Sequence, residues 1–162
     1  MHFAKKGLMV TLCLCLFAVI AMFFFGLFDN VTGLFGNYAT IKVEGEEISI
    51  NTSGLEPGAA AFYQINHEGK TIRFFLARDR AQTIHAALDA CDVCWRDGKG
   101  YKLEDGVMVC VSCQMKFPLA RIGLVTGGCN PHPVSFSEVD DNVVLSVAEL
   151  VSGAHYFPEN NK

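Results

Sequence analysis

The 162-residue chain lacks most of the signatures that announce an enzyme. It has no P-loop, no dinucleotide-binding glycine fingerprint, no Ser-His-Asp set and no pair of catalytic carboxylates. Internal repeats and low-complexity tracts are absent. Cys94 and Cys113 are followed by Trp95 and Gln114 rather than His, which excludes covalent c-type haem. Basic charge is scarce: residues 29–162 hold all 17 acidic side chains but 11 of the 13 basic ones, a balance of 11 − 17 = −6. An acidic domain offers no footprint for a phosphate backbone, so nucleic acid is excluded as a partner. These absences leave an enzymatic role open and favour an electron-transfer or metal-binding protein.

Charge is missing altogether from residues 7–28. As a helix these 22 residues would be about 33 Å long, enough to cross a bilayer core. Lys5 and Lys6 precede the run and Asp29 follows it. The positive-inside rule then places residues 1–6 in the cytoplasm and everything after residue 28 outside. A cleaved signal peptide is the alternative. Its apolar stretch would be shorter, and Phe23, Phe24, Phe25, Leu27 and Phe28 fill the end of this one. Ala18-Val19-Ile20-Ala21 is a poor cleavage site, so an uncleaved single-pass anchor in the inner membrane is expected. Cys13 and Cys15 inside it read as small apolar side chains.

Residues 29–37 read as a linker and residues 38–162 as one cysteine-rich extracytoplasmic domain. That domain is long enough to bury a core of its own. Its patterning is mainly β, an α+β fold with little helix. Ile41 and Val43 alternate with polar residues, as do Ile48 and Ile50, and Glu44-Gly45-Glu46 between them reads as a hairpin turn. Residues 61–66 and 71–77 form a second candidate hairpin turning at Glu68-Gly69-Lys70. Residues 101–103 and 107–109 form a third, around Glu104-Asp105-Gly106. Residues 143–147 read as a last strand. Phe62, Ile65, Ile72, Phe74, Phe75 and Leu76 are expected in the core.

What the domain does have is five cysteines: Cys91, Cys94, Cys110, Cys113 and Cys129. The first four form two Cys-x-x-Cys pairs with fifteen residues between them. Each pair is a local chelate, and the third hairpin would fold the second pair back on the first. Zinc, a single iron or an iron–sulfur cluster all suit such pairs. Cys129 sits in Gly127-Gly128-Cys129-Asn130-Pro131, where the glycines permit close backbone approach, and it reads either as a further ligand or as a buried thiol. His85 and His132 are lesser candidates for nitrogen ligands. Asp89, Asp92, Asp97 and Asp105 lie near the pairs and suit turn formation better than coordination beside sulfur. Redox-active disulfides are the competing assignment, although five thiols leave one unpaired.

Ala90-Cys91-Asp92-Val93-Cys94, Lys99-Gly100-Tyr101, Met108-Val109-Cys110-Val111-Ser112-Cys113 and Gly127-Gly128-Cys129-Asn130-Pro131 together resemble the FtrD-like membrane iron–sulfur proteins. Ala61-Phe62-Tyr63 and Ile72-Arg73-Phe74-Phe75 extend the resemblance. It implies a membrane-bound bacterial protein holding an iron–sulfur cluster or another thiophilic metal, with Cys129 part of the site. It also implies electron transfer or iron handling beside a membrane partner, of the iron permease or polyferredoxin type. Two positions depart from the pattern: Gln114 stands where a glycine usually follows the second pair, and His132 where a small residue is expected. A structural zinc ribbon and an extracytoplasmic thiol–disulfide protein are the alternatives.

Overall fold

Short turns and period-two patterning build ten strands within residues 38–158, the part of the chain that the structure, a computed structural model, describes. They are β1 (Ala39–Ile41), β2 (Glu47–Asn51), β3 (Ala60–His67), β4 (Lys70–Arg78) and β5 (Ile84–Leu88), then β6 (Tyr101–Glu104), β7 (Val107–Cys110), β8 (Lys116–Pro118), β9 (Phe136–Val139) and β10 (Asn142–Ser146). One α-helix, α1 (Val147–Ser152), follows among the described residues. The fold is mainly β, as its patterning predicts. No helix among the described residues is long and apolar enough to cross a membrane. The expected anchor at 7–28 and linker at 29–37 lie outside them.

Two tight turns set the local pairing. Glu68 and Gly69, at φ 48° and 81°, join β3 to β4. Asp105 and Gly106, at φ 50° and 75°, join β6 to β7. Positive φ at both central positions is the type I′ geometry, whose twist matches that of the flanking strands. The expected hairpin at Glu44-Gly45-Glu46 is not formed. β1 pairs in parallel with β3, and β2 pairs with β10 in a different sheet. Alternation selects a face for each strand but not its partner, so both segments satisfy their pattern in separate sheets. The last strand also stops one residue early, because Val147 opens α1.

The strands form three sheets, ordered β1-β3-β4-β5, β2-β10-β9 and β6-β7-β8. The first lies between two cores. Ile72, Phe74 and Leu76 of β4 pack with Ile48, Val143, Leu145 and Leu150. Phe75 and Ala77, on the opposite face of the same strand, pack with Tyr101, Met108, Phe117 and Ile122. A strand buried on both faces reads as a continuous apolar run, which is what β4 shows. Each fully buried Phe of β4 stabilises the fold by about 1.5–3 kcal/mol. Of the residues expected in the core, Phe62 alone is only half-buried.

The second core carries two cysteines, Cys91 and Cys110, at 2% and 1% exposure. Beyond the paired strands, residues 132–134 run along β5: Leu88 donates its N–H to the His132 carbonyl, His132 to Ala90 and Val134 to Ala86. This extended segment, enforced by Pro131 and Pro133, delivers Cys129 to the same end of the sheet as Cys91.

Gly100 fixes the return of the chain after the first cysteine pair. It adopts φ +63°, and a Cβ there would overlap the Asp89 carboxylate. Gly100→Ala therefore combines left-handed strain with overpacking, and is expected to cost about 2–4 kcal/mol. Denaturant unfolding of the full chain checks this; an unchanged midpoint contradicts it.

Candidate metal centre

Each cysteine pair is a tight turn at the end of a strand. After β5, Ala90 leads into Cys91-Asp92-Val93-Cys94, where the Cys94 N–H points at Cys91 Sγ at 3.2 Å. A 3₁₀ turn, Trp95–Asp97, closes on Gly98 in the left-handed region. The second pair begins at the last residue of β7. Gln114 N–H reaches the Cys110 carbonyl at 2.9 Å, and Cys110 N–H reaches Met115 at 3.0 Å. Gln114 sits at φ 62°, a conformation glycine adopts without strain. Its side-chain amide offsets part of that cost by donating to the Val111 carbonyl at 2.7 Å. The third turn places Gly127 and Gly128 at φ 86° and 63°, with Asn130 bonded back to Gly127 through both its backbone and side-chain nitrogens.

Asp89 brings the first two turns together. Its buried carboxylate accepts the Tyr101 N–H at 2.7 Å and the Tyr38 hydroxyl at 2.6 Å, with Arg73 Nε 3.8 Å away. Burial lifts its pKa to about 6, against the pull of Tyr38, Arg73 and the Tyr101 N–H. Tyr101 in turn faces Cys110 across the β6–β7 ladder. Its hydroxyl donates to the Cys129 carbonyl at 2.6 Å, so one side chain touches the third segment while its backbone holds the second beside the first.

The five sulfurs fall into two groups that share one member. Cys91, Cys94 and Cys110 lie within 4.8 Å of one another, and so do Cys94, Cys113 and Cys129. Cys94 Sγ and Cys129 Sγ are 3.8 Å apart. Burial pushes the Cys94 thiol well above its usual range, with further contributions from Cys129, Cys113 and Cys110. Burial likewise raises Cys110, and lifts Cys129 to about 11. Cys113, the exposed one, is lowered despite its own desolvation, because the Met115 N–H and neighbouring thiols favour its thiolate. Cys94, Cys110 and Cys129 are thus held toward the protonated form. A thiophilic ion would release those protons by neutralising the sulfurs.

The donor set fits such an ion. Both groups consist of sulfur alone, which selects soft or borderline metals and disfavours hard ones. Ser112 Oγ is buried without a hydrogen-bond partner, and Ser112 lines a narrow cavity of about 10 Å³ together with Cys91, Cys94 and Cys110. An unpartnered hydroxyl there is a donor available to a metal-bound sulfur.

Both candidate nitrogen ligands have other hydrogen-bond partners. His85 Nδ1 donates to the Ile122 carbonyl at 2.9 Å and Nε2 lies 3.1 Å from Asp79, so both ring nitrogens are engaged. His132 Nδ1 is 3.2 Å from the Tyr156 hydroxyl, which also bonds to Asp92. Trp95 stacks edge-on against Tyr156 and lines the same cavity as the inner sulfurs. Among the described residues, neither group includes a histidine or a carboxylate. Sequence reasoning missed Tyr38, Arg73, Tyr101 and Tyr156. The family resemblance includes Arg73, in Ile72-Arg73-Phe74-Phe75, and Tyr101, in Lys99-Gly100-Tyr101, but gave neither a role.

The chain belongs to the FtrD-like family, described as membrane iron-sulfur containing protein FtrD-like, which matches residues 55–157. The match spans both cysteine pairs and Cys129 and leaves residues 7–28 outside it. No curated protein matches the chain. Within this arrangement Tyr101→Phe leaves the Cys129 carbonyl without its partner. A loss of about 1–2 kcal/mol and faster alkylation of Cys129 in the metal-free, reduced chain are expected. An unchanged alkylation rate contradicts that role for Tyr101.

Proposed function

Taking that membership as the premise, we propose that this protein is a single-pass membrane protein whose extracytoplasmic β domain holds an iron–sulfur or related thiophilic metal centre. Cys91, Cys94, Cys110 and Cys113 hold it, with Cys129 as a fifth thiol, and the protein serves electron transfer or iron handling at the membrane. The observation that carries this reading is convergence: three separate turns deliver five thiols, and among the described residues the two donor groups they form contain sulfur alone. When bound, an iron–sulfur centre supplies a one-electron couple whose potential responds to hydrogen bonds at its sulfurs and to solvent exposure.

This chain's own residues do the rest. Asp89 and Tyr101 fix the turns, so the thiols are held in place before metal arrives. Trp95, Tyr101 and Phe157 wall the inner side and limit water. The unpartnered Ser112 hydroxyl lines the same cavity as Cys91, Cys94 and Cys110. The exposed side at Cys113 is where a redox or metal-carrying partner of the permease or polyferredoxin type would approach. The apolar, uncharged stretch at 7–28 supports tethering beside such a partner.

A second reading has one observation in its favour. A tetrahedral zinc or single iron with metal–sulfur bonds near 2.3 Å requires sulfurs about 3.8 Å apart, and Cys94 and Cys129 have that separation. Metal analysis separates the two. The full chain, extracted anaerobically, is expected to contain iron together with acid-labile sulfide and to bleach on reduction. Stoichiometric zinc without sulfide, in a redox-silent protein, would replace the cluster with the mononuclear centre. Metal-free protein with one rapidly alkylated thiol would overturn both in favour of thiol–disulfide chemistry.

A further inference from the structure

The two sulfur groups differ in their access to water. Cys91 and Cys110 are buried, at 2% and 1% exposure, and line the narrow cavity with Cys94. Cys113 is exposed and Cys129 half-buried, and these two complete the other group. A four-cysteine centre needs neither a fifth thiol nor this gradient. Cys94 belongs to both groups and is itself half-buried, at the boundary between them.

Separations within each group stay below 4.8 Å. That is close to the edge of a tetrathiolate tetrahedron, about 3.8 Å for bonds near 2.3 Å. A cation bound by one group therefore lies within a short displacement of the other, with Cys94 as a common ligand.

We propose that Cys94, Cys113 and Cys129 form an outer capture site for a thiophilic cation such as ferrous iron or zinc, which hands the ion to Cys91 and Cys110 by ligand exchange about Cys94. This rests on the metal-binding reading of the same cysteines and specifies how the centre is loaded. On capture, each ligating thiol gives its proton to water. During transfer, the bond to Cys129 breaks as those to Cys91 and Cys110 form, and the bonds to Cys94 and Cys113 persist. Of the two protons released by the inner thiols, one is taken up by Cys129 and the other goes to water. The cation keeps its charge throughout, so no oxidant or reductant enters. Because one thiolate is always bound, the ion is never free, and the inner position then protects it from competing ligands in solvent.

The test follows uptake of Cd(II) by the full chain, stripped of metal and kept reduced. Cadmium is supplied below stoichiometry from a weak chelator, and the thiolate-to-cadmium charge-transfer band is followed by stopped flow. Circular dichroism of each metal-free variant confirms that it is folded. The wild-type chain is expected to show fast capture and then a slower phase whose rate is independent of cadmium concentration. Cys129→Ser should reach the wild-type endpoint about tenfold more slowly, whereas Cys113→Ser, which also removes a ligand of the loaded centre, should load about tenfold more slowly and end at a weaker charge-transfer band. Cys91→Ser should keep the fast phase, lose the slow one and leave the cadmium removable by chelator. The proposal is overturned if Cys113→Ser and Cys129→Ser load at the wild-type rate, or if Cys91→Ser loses the fast phase. A folded wild-type chain that takes up no cadmium would instead overturn the metal-binding reading itself. That endpoint is read independently of the variant rates.

Discussion

A single buried carboxylate holds the cysteine-bearing hairpin to the central sheet. Asp89 is 1% exposed and sits two residues before Cys91. Removing a carboxylate from water costs several kcal/mol unless its oxygens are satisfied. Here they are met by Tyr38, by the Tyr101 N–H and, more distantly, by Arg73. Each partner comes from a different part of the domain: the residue before β1, the start of β6 and the middle of β4. The carboxylate thereby couples sheet formation to the register of the hairpin. Gly100 is required beside it because no Cβ fits there.

From that anchor the site follows by short steps. Tyr101 is held at Asp89 and faces Cys110 across the ladder, so the second pair arrives beside the first. The Tyr101 hydroxyl reaches Cys129, and the segment at 132–134 pairs with β5, so the third turn arrives at the same place. The thiols that meet there are difficult to ionise together, as the raised Cys94, Cys110 and Cys129 values show. A bound cation would resolve that conflict by neutralising the thiolates. The fold thus organises donors that only a thiophilic partner can use fully.

Local features of this fold are legible in the chain and distant ones are not. Glu68-Gly69 and Asp105-Gly106 announce their hairpins because the turn residues themselves dictate positive φ. The partners of β1 and β2 depend on strands far away in sequence, and nothing in their alternation names them. The two cysteine pairs are visible by spacing. Their division into an inner and an outer group is not, because it depends on Cys129, which a separate strand-like segment positions. Asp89 is one of four aspartates near the pairs, and only packing separates it from the exposed Asp92. Gln114 shows the reverse. The family pattern favours glycine there, and its left-handed φ of 62° supplies the reason.

The central claim is that a metal sits among sulfurs alone. X-ray absorption at the metal edge, on the full chain loaded in its native membrane and extracted anaerobically, tests it most directly. A first coordination shell made only of sulfur, at about 2.3 Å, is expected. A shell containing nitrogen or oxygen neighbours would contradict the account and return His132, or a carboxylate, to the site.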